Sequence, residues 1–378
     1  MKTIGVIAEY NPFHLGHLYQ INEIKKRYPH SIIIAIISTN FTQRGDLSII
    51  NKWDKTKICL EYGIDLIVEL PTLYATQSAD IFAKGALKIL NELRIDTLVF
   101  GSESNDIDIL TKLATTELND PTYQKKVKEY LDNGLNYPSA MSKALKDITN
   151  IQIDKPNDLL GLSYIKEIIK EKYQITPIAI KRTNDYHSKN TNSSIINATL
   201  IRELYLNQKS ISRYLPTKVE NYLYKDISLD KAYQYLLYAI ITNQHELATY
   251  LTVDEGIEKR ILSNINKCNT WQELVKNIKT KRYTYNKINR MLIHILLGIK
   301  KEDNNNQNYL RILGFNYKGQ THLNKIKKSI NLEIYHNYKP NKNKNFDLEY
   351  RSTYIYSLIT YDKTLTQKEF QNNPIIKK

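Results

Sequence analysis

Residues 3–17 read Thr3-Ile4-Gly5-Val6-Ile7-Ala8-Glu9-Tyr10-Asn11-Pro12-Phe13-His14-Leu15-Gly16-His17. The short, mostly apolar run Thr3–Glu9 predicts a buried β-strand, and a helix is predicted over about 16–27. A turn that carries two histidines and a glycine joins them. This arrangement predicts a first strand–turn–helix unit whose turn lies at the carboxyl end of the strand.

The same alternation continues along the chain to about residue 101, and a further helix and strand follow later. Further strands are predicted at Ser31–Ile37, Asp65–Leu70, Asp96–Gly101 and near Ile175–Lys181, and further helices at about 52–62, 77–93 and 156–172. Residues 32–37 are all apolar, which a strand covered on both faces requires. The sequence therefore predicts an α/β fold with a doubly wound, Rossmann-like parallel sheet.

The net charge of the 378-residue chain is +15, and it is concentrated in the second half. Residues 1–200 carry a net charge of +1 and residues 201–378 one of +14. Beyond residue 200 the strand signal fades and helical segments follow, at Leu229–Tyr250, Glu258–Asn264 and Thr270–Ile278. We expect a catalytic domain over 1–205 and a mostly helical, basic domain over 206–378 that binds nucleic acid. The alternative is a general bias toward lysine and asparagine.

Features of targeting and of disulfide chemistry are missing from the sequence. Its first residues contain Glu9 and no small-residue cleavage site, and no apolar run reaches about 18 residues. Cys59 and Cys268 are far apart and have no partners at metal-ligand spacing, so we expect two buried thiols. These features predict a cytoplasmic protein.

The turn after the first strand carries the candidate chemistry. In a parallel sheet, a nucleotide binds at the carboxyl ends of the strands, near the amino terminus of the next helix. His14 and His17 are three residues apart and can face the same way, as two donors for charge that develops on a phosphorus atom. Gly16 leaves room for the nucleoside. Alternatively, the histidines only cap the helix.

The turn resembles the signature of the HIGH-motif nucleotidyltransferases, and the wider sequence is similar to the bacterial tRNA(Met) cytidine acetate ligases. The similar strings are spread in order along the chain: Glu9–His17, Ser38–Asp46, Lys52–Asp54, Asp65–Pro71, Phe100–Glu103, Pro156–Gly161, Ile180–Arg182 and Ala198–Arg202. The resemblance implies that ATP activates acetate as acetyl-adenylate and releases pyrophosphate. It further implies transfer of the acetyl group to N4 of the wobble cytidine of elongator tRNA(Met), giving N4-acetylcytidine.

The resemblance also implies roles for individual residues. The residues expected to act on the phosphates are His14, His17 and Arg202. The expected ATP-binding positions are Ile7, Ala8, Glu9, Tyr10, Asn11, Pro12, Phe13, His14, Leu15, Gly16, His17, Leu18, Tyr19, Gln20, Gly101, Asn157, Arg182 and Thr199. No carboxylate cluster has metal-ligand spacing, so we expect no protein-bound metal, and Mg²⁺ only together with ATP.

Several of these residues have simpler interpretations. Gly101 could merely end a strand, Asn157 could cap a helix, and Arg182 or Arg202 could be a surface cation. The second signature also departs from the family pattern, because Asn197 stands where serine is commoner and Asn184-Asp185 replace a glycine-containing loop. Lys52 is a further candidate, with a solvated helix start as the alternative.

The residues predicted to bind tRNA are cations. Lys281, Arg282, Lys287 and Arg290 alternate with Tyr283 and Tyr285 just before an apolar helical run, and Arg44 lies in a polar loop after the second strand. Lysine and arginine contact phosphates, and aromatic rings stack on unpaired bases. The alternative is the polar side of a packed helix.

Three other functions compete with tRNA acetylation. A small-molecule adenylyltransferase of the pantetheine-phosphate type shares the histidine pair but has no need of a basic second half. A non-catalytic RNA-binding protein predicts erosion of the motifs, whereas His14, Gly16, His17 and Arg202 are present. An aminoacyl-tRNA synthetase is disfavoured because no Lys-Met-Ser-Lys-Ser-type loop is present.

Overall fold

The computed structural model describes residues 1–182, 193–303, 309–371 and 373–378. Eight strands in this part of the chain form one sheet. They are β1 (Thr3–Ala8), β2 (Ile32–Ile37), β3 (Leu66–Glu69), β4 (Thr97–Ser102), β5 (Thr176–Lys181), β6 (Tyr309–Asn316), β7 (Glu333–Tyr335) and β8 (Ile375–Lys377). The first five confirm the predicted strands to within a residue or two.

The order of the strands is β5-β4-β1-β2-β3-β6-β7, and β8 also pairs with β6. The five predicted strands pair in parallel, whereas β6 runs antiparallel to β3. Every residue of β2 and β3 is buried, as expected for central strands covered on both faces. The chain leaves β1 toward β2 and later returns to its other side as β4, so the strand order reverses between β1 and β4.

The helices of the first 206 residues are α1 (Leu15–Arg27), α2 (Lys52–Glu61), α3 (Thr72–Ala75), α4 (Ala79–Glu92), α5 (Ile107–Asn119), α6 (Tyr123–Asp132), α7 (Tyr137–Thr149), α8 (Pro156–Lys170) and α9 (Ala198–Leu206). Those after them are α10 (Tyr233–Thr242), α11 (Ile257–Ile265), α12 (Trp271–Ile278), α13 (Tyr285–Leu296), α14 (Tyr317–Ile326), α15 (Lys344–Thr360) and α16 (Thr364–Gln371). The predicted helices correspond to α1, α2, α4, α8, α11 and α12, while Leu229–Tyr250 forms α10 flanked by short 3₁₀ turns. Helices α5–α7 were not predicted from the sequence.

The second half of the chain contains strands that the sequence did not predict. The sequence pattern predicted no strands in this region, which was wrong, because β6, β7 and β8 all join the sheet. Arg311 interrupts the apolar pattern of β6, and its charge is neutralised by Glu69 of β3 and Glu369 of α16. The pattern of residues around Arg311 could not predict these partners, because both are distant in sequence. The described second half is still mostly helical, and the boundary at residue 205 stays a prediction.

A buried cluster of charges joins the two halves of the chain. Lys52 lies 2.8 Å from Glu69 and 2.7 Å from Glu369, and all three side chains are inaccessible to solvent. Glu349 of α15 accepts hydrogen bonds from the backbone and hydroxyl groups of Thr72, each 2.7 Å long. Lys52 is therefore neither solvated nor part of the candidate site, and both interpretations of it from sequence were wrong.

Cys59 and Cys268 are buried free thiols, as predicted. Along the described ranges, no helix combines the length and apolar character needed to cross a membrane.

Candidate active site

A cavity of about 500 Å³ opens at the carboxyl ends of β1 and β4, where the strand order reverses. Open α/β sheets bind ligands at such switch points, because the loops diverge there and leave a crevice. The end of β1, the amino-terminal turns of α1 and α8, the end of β5 and the start of α9 all contribute to its lining. The polar turn singled out in the sequence thus borders a crevice at the sheet edge.

His14 and His17 are held by hydrogen bonds at the amino terminus of α1. The Nδ1 atom of His14 accepts from the backbone N–H of Gly16 at 3.0 Å, and Nδ1 of His17 accepts from the backbone N–H of His14 at 3.2 Å. An Nδ1 that accepts a hydrogen bond carries no proton, so the neutral ring is protonated at Nε2. Both rings border the cavity, and each has its Nε2–H as a donor.

Both histidines are neutral at physiological pH. Burial lowers the pKa of His14 to about 3, and the nearby charges of Arg182 and Arg202 act in the same direction. Burial also lowers the pKa of His17 well below its usual value, with His14, Arg182 and Lys55 as additional causes. The ring centroids are 3.8 Å apart, so a second positive charge would be strongly repelled. The pair can therefore offer two neutral Nε2–H donors to a ligand, without a positive charge on either ring.

The capping interpretation and the catalytic one are both compatible with this geometry. His14 is the N-cap of α1 and forms a capping box with His17. Capping occupies only the Nδ1 atoms, because the backbone groups lie on that side of each ring. The Nε2 atoms stay available to a ligand.

The start of α9 docks on the first signature. Arg202 donates through Nη1 to the carbonyl oxygen of Asn11 at 2.8 Å, and its Nη2 lies 3.4 Å from a carboxylate oxygen of Asp46. The hydroxyl of Thr199 accepts from Nη1 of Arg44 at 3.0 Å. Asn197 caps α9 by accepting from the backbone N–H of Leu200 at 2.9 Å, so asparagine performs the capping role that serine would have. Residues 184–187 lie outside the described ranges.

Gly101, Asn157 and Arg182 also line the cavity, at the ends of β4 and β5 and in the first turn of α8. A Cβ atom on Gly101 would lie 3.4 Å from Cγ and 3.6 Å from Nη1 of Arg182, which is ordinary van der Waals contact, so the two residues are neighbours but their packing does not require a glycine. Asn157 belongs to the first turn of α8, whose N-cap is Lys155, and its amide donates to Glu103 Oε1 at 2.6 Å. Asn157 is therefore not a simple N-cap.

Most of the predicted ATP-binding residues line the cavity. Those that do so are Ile7, Ala8, Glu9, Tyr10, Asn11, His14, Gly16, His17, Tyr19, Gln20, Gly101, Asn157, Arg182 and Thr199, and Arg202 lines it as well. Pro12, Phe13, Leu15 and Leu18 are not among the lining residues. Phe13 is fully buried and packs against Tyr10 and Tyr62, which makes it a support of the turn.

The predicted tRNA-binding cations are divided between two places. Arg44 and Arg290 line the main cavity. Lys281 and Arg282 are exposed beside a second, shallower cavity of about 420 Å³, and the ammonium of Lys287 lies 4.1 Å above the ring of Tyr283. The four cations of residues 281–290 thus do not form one continuous surface, because Arg290 turns toward the sheet.

Sequence reasoning missed the apolar side of the cavity and one of its walls. Phe82, Phe100, Leu160, Tyr164 and Ile180 line the apolar side, and Asn286 belongs to a wall formed by α13. Gly161 was one usable signal, since a Cβ there would lie 2.5 Å from the Phe100 ring. Packing decides which side of each helix and strand faces the cavity, so composition alone did not predict these residues.

The fold and the site together define a HIGH nucleotidyltransferase, and the family model described as HIGH Nucleotidyl Transferase matches residues 1–372. The chain is 37% identical over 395 residues to the tRNA(Met) cytidine acetate ligase of Caldicellulosiruptor saccharolyticus, covering 99% of this chain and 98% of the relative. It therefore belongs to the tRNA(Met) cytidine acetate ligase family.

Solved structures agree with this assignment. Apo TmcAL of Thermotoga maritima superposes with a TM-score of 0.91 at 29% identity, covering 100% of this chain and 99% of that one. The structure of the same protein bound with alpha-thio ATP gives a TM-score of 0.89 at 28% identity, with the same coverage. The similarity therefore extends over both halves of the chain.

Proposed function

We propose that this chain activates acetate with ATP and transfers the acetyl group to N4 of the wobble cytidine of elongator tRNA(Met). The observation that carries the proposal is the pair of Nε2–H donors on His14 and His17, which border one cavity together with Arg182 and Arg202 at the switch point of the sheet. Membership of the ligase family and the ATP analogue bound in the Thermotoga maritima protein support the choice of substrates.

In the first step, the histidines and arginines assist attack of acetate on the α-phosphorus of ATP. A new bond forms between acetate oxygen and phosphorus while the bond to pyrophosphate breaks, and negative charge grows on the phosphate oxygens. His14 and His17 donate hydrogen bonds to this charge, and the positive charges of Arg182 and Arg202 stabilise it. Acetyl-adenylate and pyrophosphate are the products.

In the second step, N4 of cytidine attacks the acetyl carbon. A C–N bond forms, the C–O bond to AMP breaks, and the proton of the amine is released to water as AMP leaves. The residues of this chain then hold the adenylate and the base in register, which lowers the entropic part of the barrier.

Mg²⁺ is proposed as a partner of ATP. Among the described residues, no group of three or more His, Cys, Asp or Glu side chains is placed to hold a metal ion. The phosphate oxygens are therefore the ligands we propose for Mg²⁺, as is usual for a cation that keeps several of its waters. We also propose that the protein acts in the cytoplasm, together with its tRNA.

The decisive experiment supplies ATP, radiolabelled acetate and total tRNA. We expect acid-stable label on methionine tRNA, and nuclease digestion should yield N4-acetylcytidine. Label that never exceeds the control without ATP would overturn the proposal. Consumption of ATP only with a phosphate ester would favour the small-molecule adenylyltransferase, and tRNA binding without any turnover would favour the non-catalytic protein.

A further inference from the structure

One wall of the cavity comes from the basic half of the chain. Among the described residues after 205, Asn286 and Arg290 line the cavity, and both belong to α13. Residues four apart lie on the same face of a helix, so both side chains are on one side of α13. The histidines and arginines proposed to act on ATP come from the first 202 residues, so this wall is a separate contribution.

Arg290 is a largely desolvated cation. Its Nη1 donates to the carbonyl oxygen of Gln43 at 2.8 Å, and burial lowers the pKa of its guanidinium to about 10. Throughout the described ranges, no carboxylate lies within 4 Å of this side chain. Cations shielded from water are normally paired with an acid. Here the remaining donors border a cavity, which fits an anionic group supplied by a ligand.

Close packing fixes the position of this wall relative to β1. Gly45 has a φ of +76°, and a Cβ there would lie 2.6 Å from the backbone nitrogen of Arg290. Gln43, which accepts from Arg290, donates its own backbone N–H to Glu9 Oε1 at 2.7 Å. The loop between β2 and α2 thus bridges α13 and the carboxyl end of β1.

Further cations lie just before α13 and in its first turn. Lys281 and Arg282 precede α13 and are exposed, and Lys287 lies one turn before Arg290. Phosphates of a bound RNA would contact these exposed cations first. An RNA that contacts Lys281 and Arg282 would therefore lie near the amino-terminal end of α13, where Asn286 and Arg290 line the cavity.

We propose that Asn286 and Arg290 receive the acceptor nucleotide of the RNA in the second step, a proposal that rests on the proposed function. The amide of Asn286 offers an acceptor and a donor, which match the N4 amino group and N3 of cytosine. The guanidinium of Arg290 takes the phosphate of the same nucleotide. The groups proposed to hold ATP come from the turn that starts α1, from Arg182 after β5 and from α9, so the α13 wall is free to contact the acceptor nucleotide.

The test separates the two half-reactions in Asn286→Ala, Arg290→Met and Arg290→Lys variants. Acetate-dependent ATP–pyrophosphate exchange measures the first step, and single-turnover transfer from enzyme-bound acetyl-adenylate to a tRNA(Met) transcript measures the second. We expect exchange within about twofold of wild type and transfer lowered about 10-fold or more, because each substitution removes a hydrogen-bonding group that faces the acceptor. Arg290→Lys should lose less than Arg290→Met, since it keeps the charge.

Controls make the outcomes distinct. Lys276→Met changes an exposed cation of α12 and should alter neither step, while thermal melts check that each variant folds. Wild type should bind a transcript with uridine at the wobble position more weakly than the transcript with cytidine. Asn286→Ala should bind the two transcripts equally well. Loss of exchange together with transfer would assign the wall to ATP, and unchanged transfer would remove it from the site. Absence of exchange and transfer in wild type would instead contradict the proposed function.

Discussion

The ammonium of Lys52 lies 2.7 Å from a carboxylate oxygen of Glu369, and both side chains are fully buried. Lys52 begins α2 in the first half of the chain, whereas Glu369 belongs to α16 near its end. Burial by itself would raise the pKa of Glu369, but Arg311 and Lys52 hold it below its usual value. The ion pair therefore joins the last helices to the sheet by charge.

Removal of this cation should destabilise the whole chain. Lys52→Met leaves Glu69 and Glu369 without one of their buried partners, and we expect a decrease of about 3–5 kcal/mol in unfolding free energy in denaturant titrations. Lys57→Met is the matched control on the same helix, because that side chain is 50% exposed and its pair with Asp54 should contribute less than about 1 kcal/mol. Equal effects of the two substitutions would contradict the role of the cluster.

Substitutions at His17 should separate its capping role from the catalytic role proposed for it. We expect His17→Ala to lower the rate of ATP–pyrophosphate exchange by about 10²–10³-fold, since a donor to the developing charge is removed. His17→Asn can restore the acceptor for the His14 N–H without restoring Nε2–H. It should therefore melt close to wild type while exchange stays low, and full activity in this variant would argue against Nε2 as the donor.

The buried histidines predict the direction of the pH dependence of stability. His14 has a folded pKa of about 3, and that of His294 is lowered by burial to about 4, both below the ordinary value of 6.5. Between the folded and the unfolded pKa values, the unfolded chain binds more protons than the folded one. The contribution of these histidines to the unfolding free energy is therefore fully present above about pH 6.5 and decreases as the pH falls toward their folded pKa values.

Denaturant titrations at a series of pH values would measure this slope. Each histidine contributes roughly 1 kcal/mol per pH unit below pH 6. Within the described part of the chain, the His294 ring hydrogen-bonds with Thr76, Thr252 and Leu251 and does not line the main cavity, so His294→Asn should reduce the slope without altering the site. An unchanged slope would show that this histidine is not the titrating group.

Gly45 should tolerate no side chain. Gly45→Ala places Cβ 2.6 Å from the backbone nitrogen of Arg290, at a φ of +76°. Gly134 has a φ of +85°, and a methyl group there would have nothing within 4 Å, so Gly134→Ala isolates the backbone strain, about 1–2 kcal/mol. We expect Gly45→Ala to destabilise the fold further, by about 1–3 kcal/mol, in thermal or denaturant unfolding. Equal effects would mean that α13 can move away from the loop.

Charge reversal at Lys281 and Arg282 should affect RNA binding alone. Both are exposed and lie apart from the main cavity, so ATP–pyrophosphate exchange should be unchanged. The dissociation constant for tRNA should rise, and its dependence on salt should become shallower by about one unit of slope for each phosphate that is no longer neutralised. A normal salt slope in the double variant would place the RNA elsewhere.

Local sequence determined the first five strands, the helices predicted between them and the turn that carries His14 and His17. Each of these features follows from the local pattern of apolar and polar residues or from the residue types in one short segment. Contacts with distant segments are not needed to predict them. Tertiary structure alone decided that β6 joins the sheet, because the charge of Arg311 is acceptable there only beside Glu69 and Glu369. It also decided that Arg290 borders the cavity while Lys281 and Arg282 stay outside. Both outcomes depend on packing and on charge neutralisation between segments that are distant in sequence. The residue pattern within one segment does not predict such contacts.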